Sequence, residues 1–251
     1  MTDRLDLHDQ TDAPAASPSE TAKGERRSAP ARPLLTAGAG QSTFDPLGRS
    51  LIHIPIIHTQ ADMGALSQAI KEITIQKLGQ AGWERNVNLI DEIWTRIEEA
   101  IDGWALPYEK VRLYQDGLPI CGREVEIVTE LARAGSRNHR LLLRLKDRGA
   151  TLMGTESAAL LVQEYQLVKK ILDAGNSQRA LQLEARYKTM SQALLKQRDQ
   201  AVAQRINTTL RAGEIGLLFL GMLHRVENLL AKDIHVAHPI YPPLASEDPE
   251  C

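Results

Sequence analysis

The chain alternates between short, uniformly apolar runs and longer stretches whose apolar residues recur at helical spacing. Leu51–Ile57 is apolar and β-branched over the length of a strand, and Leu217–His224 is a second run of that kind. Each stops on a histidine, His58 and His224, and then hands over to a helical pattern. Uninterrupted apolar runs of this length belong to strands buried on both faces, as in a parallel sheet. Lys110–Gln115 and Ala150–Met153 read as two further strands, and Lys232–Val236 as a last one. Pro55 lacks a donor for the ladder, which predicts an edge position or a bulge in the first strand. His53 and His58 are five apart and face opposite sides of a regular strand.

Between these runs the period lengthens. Leu66, Ile70, Ile73 and Leu78 predict a helix that ends at Gly79, and Val87, Ile90, Trp94, Ile97 and Ile101 a second that ends at Gly103. Gly122–Arg133 reads as a helix, and Ser136 caps a shorter one through Leu141, Leu142 and Leu145. Ser157 caps another, through Leu160, Leu161, Tyr165, Val168 and Leu172. Ser177–Arg211 is one long amphipathic pattern without Gly or Pro. Strands alternating with helices predict an α/β fold, a mainly parallel sheet of four to five strands with a large helical insert covering one side. Residues 44–244 form the single domain. A tail (1–43) rich in Ala, Pro, Ser and charge is expected to be disordered, and 245–251 is a C-terminal tail.

Composition adds limits. Hydrophobic residues make up 43% of the chain and aromatics only 4%, so the core rests on Leu, Ile, Val and Ala. A formal net charge of −2 gives no general attraction to nucleic acid or anionic lipid. Two cysteines, Cys121 and Cys251, make neither a disulfide framework nor a CxxC pattern. No stretch reaches the ~20 apolar residues of a membrane span, and the N-terminus has no secretory signal pattern. A cytoplasmic protein is expected, without nucleic-acid or membrane partners.

The chemistry gathers at strand ends. His58, Asp116, Glu156 and His224 each follow a predicted strand, and in a sheet of one direction all four fall at one edge, where such folds bind ligands. Two imidazoles and two carboxylates suit a divalent ion such as Zn²⁺ or Mn²⁺. The same residues also fit ordinary helix capping. Asp62 either reaches back to His58 or serves as a first-turn acid. His139, flanked by Arg137 and Arg140, reads as a surface residue, and His235 and His238 diverge along an extended segment. No GxGxxG or GxxxxGK[ST] element is present, which argues against a phosphate-binding loop.

Arg198–Asp199–Gln200–Ala201–Val202–Ala203 lies on the long helix, and Gly221–Met222–Leu223–His224 forms a Gly-x-x-His step after it. This arrangement resembles the TraB/GumN/Tiki-type proteins and, more distantly, the erythromycin esterase-like proteins. In those families an Arg–Asp or Arg–Asn pair precedes a strand that ends in Gly-x-x-His, and an earlier strand also ends on histidine. The likeness covers mainly strand one and the C-terminal part of the chain. At the first histidine it departs, because Pro55 stands where the families carry glycine. The chain also looks like a bacterial group sharing the Tyr114–Gln115–Asp116–Gly117–Leu118–Pro119 and Gly154–Thr155–Glu156 stretches.

The resemblance implies a metal-dependent, peptidase- or esterase-like hydrolase. It assigns His58, Glu156 and His224 to the metal and Arg198 with Asp199 to the reaction, with a small molecule or peptide as substrate. On the residues alone, Arg198 also fits a solvated helix face. The other expectation is a non-catalytic binding or regulatory protein, a homo-oligomer or partner binder that uses the helix 177–211 as its surface.

Overall fold

The computed structural model describes residues 48–174 and 178–240. Both expected tails (1–43 and 245–251), Ser177, Pro242 and Pro243 lie outside the described residues. Among these residues five strands form one sheet: β1 (Arg49–Ile56), β2 (Val111–Gln115), β3 (Thr151–Met153), β4 (Ile215–Gly221) and β5 (Ile234–Ala237). Their order is β3-β2-β4-β1-β5, and every neighbouring pair is parallel. Among the described residues five α-helices accompany them: α1 (Ser67–Asp102), α2 (Glu124–Arg133), α3 (Arg137–Asp147), α4 (Ala158–Ala174) and α5 (Gln178–Thr209). This is the expected α/β fold.

Helices cover both faces of the sheet. Alternate residues of β4 show why. Leu217 and Phe219 join Ile52, Ile54 and Ile56 of β1 in a core with Trp94, Ile97 and Ile101 of α1, Val128 of α2 and Leu142 and Leu145 of α3. Leu218 and Leu220 face the other way, with Leu51 and Tyr114, onto Val202, Ala203, Ile206 and Leu210. Each fully buried Leu, Ile or Phe contributes roughly 1.5–3 kcal/mol of transfer free energy, so the central strands are held from two sides.

The break expected at Gly79 exists inside α1, where Gly79 adopts φ 73°, ψ 170°. The left-handed region suits glycine alone among common residues. Packing of α1 on the sheet is confined to its last turns, around Ile90, Ile93, Trp94, Ile97 and Ile101. Leu78 and Val87, expected on buried faces, are exposed because the core extends no farther along the helix than Ile90.

Pro55 also needs a correction, since β1 is second from the edge of the sheet. β5 pairs only with Arg49–Ile52, however, and Pro55 sits opposite Leu220 of β4 with no β5 partner. The proline occupies a local edge within an interior strand. On α5, Leu194, Val202 and Ile206 are buried, as is Leu210 just after it, while Tyr187 is half-buried and Met190 is exposed. No described helix is long and apolar enough to cross a membrane.

Candidate active site at the carboxyl ends of the strands

Asp116 is the hub. It follows β2 directly, and its backbone N–H donates to the Phe219 carbonyl of β4 at 2.9 Å, so strand pairing continues one residue beyond β2. Its Oδ1 accepts from Arg198 Nη2 at 2.7 Å. Its Oδ2 accepts from the Gly221 N–H at 2.9 Å and from His58 Nε2 at 3.2 Å. His224 Nε2 lies 3.6 Å from that same oxygen. The ends of β1, β2 and β4 thus meet at one carboxylate.

Glu156, three residues beyond the end of Thr151–Met153, approaches from the β3 side, where it bridges to Pro119. Its Oε1 accepts from Arg198 Nη2 at 2.5 Å and from the Gly117 N–H at 3.1 Å, and its Oε2 from Arg198 Nε at 2.8 Å. Arg198 Nη1 donates to Glu164 of α4 at 2.5 Å. All three guanidinium nitrogens therefore have acidic partners, drawn from three different elements. Bidentate pairing of this kind fixes the orientation of both groups. Arg198 is a cross-brace, not the solvated helix residue that its neighbours Lys196 and Arg205 allow as a reading.

The next residue on α5 orients the second histidine. Asp199 Oδ1 lies 2.6 Å from His224 Nδ1, and its Oδ2 accepts from the Arg225 N–H at 3.0 Å. A carboxylate only accepts, so Nδ1 carries the proton and Nε2 is the nitrogen turned toward Asp116. Gly221 is required by packing: a Cβ built there would lie 2.8 Å from Asp116 Oδ2. The glycine of the Gly-x-x-His step thus admits the hub carboxylate. On the β1 side, buried Trp94 donates Nε1–H to the Ile57 carbonyl at 3.1 Å and fixes the chain just before His58.

The group is buried and short of positive charge. The side chains of Glu156, Asp116 and Asp199 are 0%, 5% and 7% exposed, and Arg198 is the one permanent cation among them. Burial opposes ionisation of Asp116, yet the His58 hydrogen bond and the charges of His58, His224 and Arg198 hold its pKa far below the usual carboxylate range. Burial, with Asp116 alongside, raises the Glu156 pKa despite Arg198. Burial pushes the His58 pKa down, but the hydrogen bond and charge of Asp116 outweigh it and leave the pKa raised. Unpaired buried carboxylates are costly, so the site favours protons or an added cation. Asp116, Glu156 and His224 lie close enough to hold a metal ion, with one ligand atom from each all within 4.8 Å of one another.

The structure brings together all five residues singled out from the sequence, His58, Glu156, Arg198, Asp199 and His224. Asp116 and Glu164 join them. Asp116 was visible as a strand-end acid, but its central place depends on β2 lying beside β4. Glu164 had no signal beyond its position on a helix near the site.

Asp62 belongs to a separate group. Its Oδ2 accepts from the Thr59 N–H at 2.6 Å and Thr59 Oγ1 at 2.8 Å, and its Oδ1 from Ser136 Oγ at 2.5 Å. It is the first-turn acid of the short 3-10 helix Gln60–Leu66, and its partners are Thr59, Ser136 and His139, not His58. His139 corrects the surface expectation. It is 5% exposed, with Nδ1 2.7 Å from Ser136 Oγ and 3.3 Å from Asp62 Oδ1. The N-cap of α3 turns it inward, between two arginines that point elsewhere.

Comparison with protein-family models, curated proteins and solved structures finds no match to this chain.

Proposed function

We propose that the protein is a metal-dependent hydrolase, peptidase- or esterase-like, acting at the carboxyl ends of β1, β2 and β4. The observation that carries this reading is the convergence of His58 Nε2 and His224 Nε2 on one oxygen of Asp116, at 3.2 and 3.6 Å. Ligand atoms around a tetrahedral ion with ~2.0 Å bonds lie about 3.3 Å apart. Asp199 behind His224 supplies the carboxylate that commonly orients a metal-bound imidazole. The surplus of buried carboxylates over guanidinium favours a cation in the same place.

Asp116, Glu156 and His224 would hold a Zn²⁺ or Mn²⁺ ion, with His58 as a fourth donor and Arg198 sharing Glu156. Such an ion lowers the pKa of a bound water toward neutrality. Asp199 keeps the His224 lone pair on the site side. Arg198 limits the negative charge around the site and holds Asp116 and Glu156 at fixed separation. His58, the most exposed of the four donors at 33%, stands on the solvent side of the site, where a substrate would enter. The resemblance to TraB/GumN/Tiki-type proteins, in the Arg198–Asp199 pair and the Gly221–His224 step, supports the same chemistry.

Metal analysis of purified protein, followed by a hydrolysis screen on activated esters and peptides, tests the reading. His58→Ala and His224→Ala should lose the ion held at Asp116 and any activity. Unchanged metal content and unchanged activity in both variants would sink it.

A second reading keeps the long helix as an interaction surface. Val162, Tyr165 and Ile171 of α4 and Met190 of α5 are exposed and apolar, and such side chains suit a second copy or a partner. Sedimentation as a monomer at all concentrations, with no co-purifying protein, counts against it.

A further inference from the structure

A second group of ligating side chains lies outside the Asp116 site. His53 is on β1, two residues after Leu51, so it shares that residue's face, toward α5. Glu227 opens the short 3-10 helix Glu227–Leu229 after β4, and His238 follows β5 immediately. Glu227 Oε1 lies 3.2 Å from His53 Nδ1 and 3.1 Å from His238 Nε2. The two imidazole rings stand edge to face with centroids 5.2 Å apart. One ligand atom from each of the three residues falls within 4.8 Å of the other two. Three separate elements are needed to assemble this.

We infer that His53, Glu227 and His238 form a second divalent-cation site, suited to Zn²⁺ or a similar borderline metal. Two imidazoles with one carboxylate are a common donor set for such ions and a poor one for Mg²⁺ or Ca²⁺. The separations of 3.1 and 3.2 Å to Glu227 Oε1 are close to the ~3.3 Å edge of a tetrahedral coordination shell. His53 Nε2 is buried without a partner among the described residues, so Nδ1 is the nitrogen that meets a ligand. Glu227 and His238 are 47% and 40% exposed, which leaves the outer coordination positions to water. The competing arrangement is a plain hydrogen-bonded His–Glu–His cluster, in which both imidazoles donate to one carboxylate oxygen.

Titration of chelator-treated full-length protein with Co²⁺, followed by visible absorption, and with Zn²⁺, followed calorimetrically, separates the two. His238→Ala and Glu227→Gln should each lose one binding equivalent or weaken it by at least about tenfold, the scale on which metal-site substitutions act. His224→Ala, which strikes the Asp116 site, should keep that equivalent. Because the substituted side chains at 227 and 238 are largely solvent-facing, both variants should retain the wild-type far-ultraviolet circular dichroism. Wild-type stoichiometry and affinity in both, or no binding by the wild type at millimolar metal, overturns the site. Loss of all binding in His224→Ala alone does so too, by placing the ion at Asp116. The test does not depend on hydrolysis, so failure of the proposed activity leaves this result readable.

Discussion

Two buried aspartates, Asp62 and Asp116, look alike by exposure and differ in who surrounds them. Asp62 accepts from a threonine N–H, two hydroxyls and a histidine, all within its own helix start or the neighbouring cap of α3. Asp116 accepts from one backbone N–H and otherwise faces an arginine and two histidines brought from α5, β1 and β4. The first is satisfied mainly by neutral donors and holds two elements together. The second faces charged and ionisable groups drawn from three other parts of the fold, the kind of surrounding that recurs at functional sites. Burial alone does not tell these two acids apart, whereas the charge and origin of their partners do.

The largest expected effect is Asp116→Ala. Removing the hub leaves Arg198 facing a single buried acid and His58 without its partner, a broken buried pair that costs about 3–5 kcal/mol. Urea denaturation measures it, and a loss below 1 kcal/mol would show that the hub is not holding its cations. Asp62 should matter less, and its effect should depend on pH. Burial raises its pKa, but the hydrogen bonds from His139, Ser136 and Thr59 outweigh that and bring it down to about 2. A depressed folded pKa contributes stability above the unfolded value and loses it as the pH falls. About 2 kcal/mol should therefore disappear between pH ~4 and ~2 in the wild type. Asp62→Asn should lack that fall, and a wild-type acid slope in this variant would contradict the assignment.

Gly221→Ala tests the approach of β4 to the hub. The added methyl meets Asp116 Oδ2 at 2.8 Å, so a loss of about 1–3 kcal/mol is expected, with weakened metal binding. Thermal melting with and without added Zn²⁺ reads both, and an unaltered midpoint in both conditions removes the steric account. Glu164→Gln should do least. Its carboxylate is 38% exposed, so its pair with Arg198 is screened by solvent and stability should change by less than about 1 kcal/mol. A larger loss by urea denaturation would make Glu164 a full member of the buried network.

Much of this was legible in the residues. Runs of Ile and Leu buried on both faces located β1 and β4, and Gly221, His224, Arg198 and Asp199 marked the half of the site carried by α5 and β4. The centrality of Asp116 was not legible, because it follows from strand order: only β2 beside β4 places its carboxylate between His58 and His224. His139 was misread because its two flanking arginines make the local pattern polar, while a cap on Ser136 decides which way the ring turns. His238 was passed over for a similar reason. Its partners are 185 and 11 positions away, on β1 and before β5, and spacing within its own segment says nothing about them.

The strand order has a consequence for how the molecule is made. β4 lies between β1 and β2, yet it is synthesised after α1 to α5. Until residues 215–221 have left the ribosome, β2 can pair only with β3, and β1 has no neighbour at all. The apolar flanks of both strands then wait in partly assembled form, a circumstance that slows folding and invites association with other chains. The strand that completes the site is also the one that closes the sheet, so an ion or ligand held there reports on a chain that has finished folding.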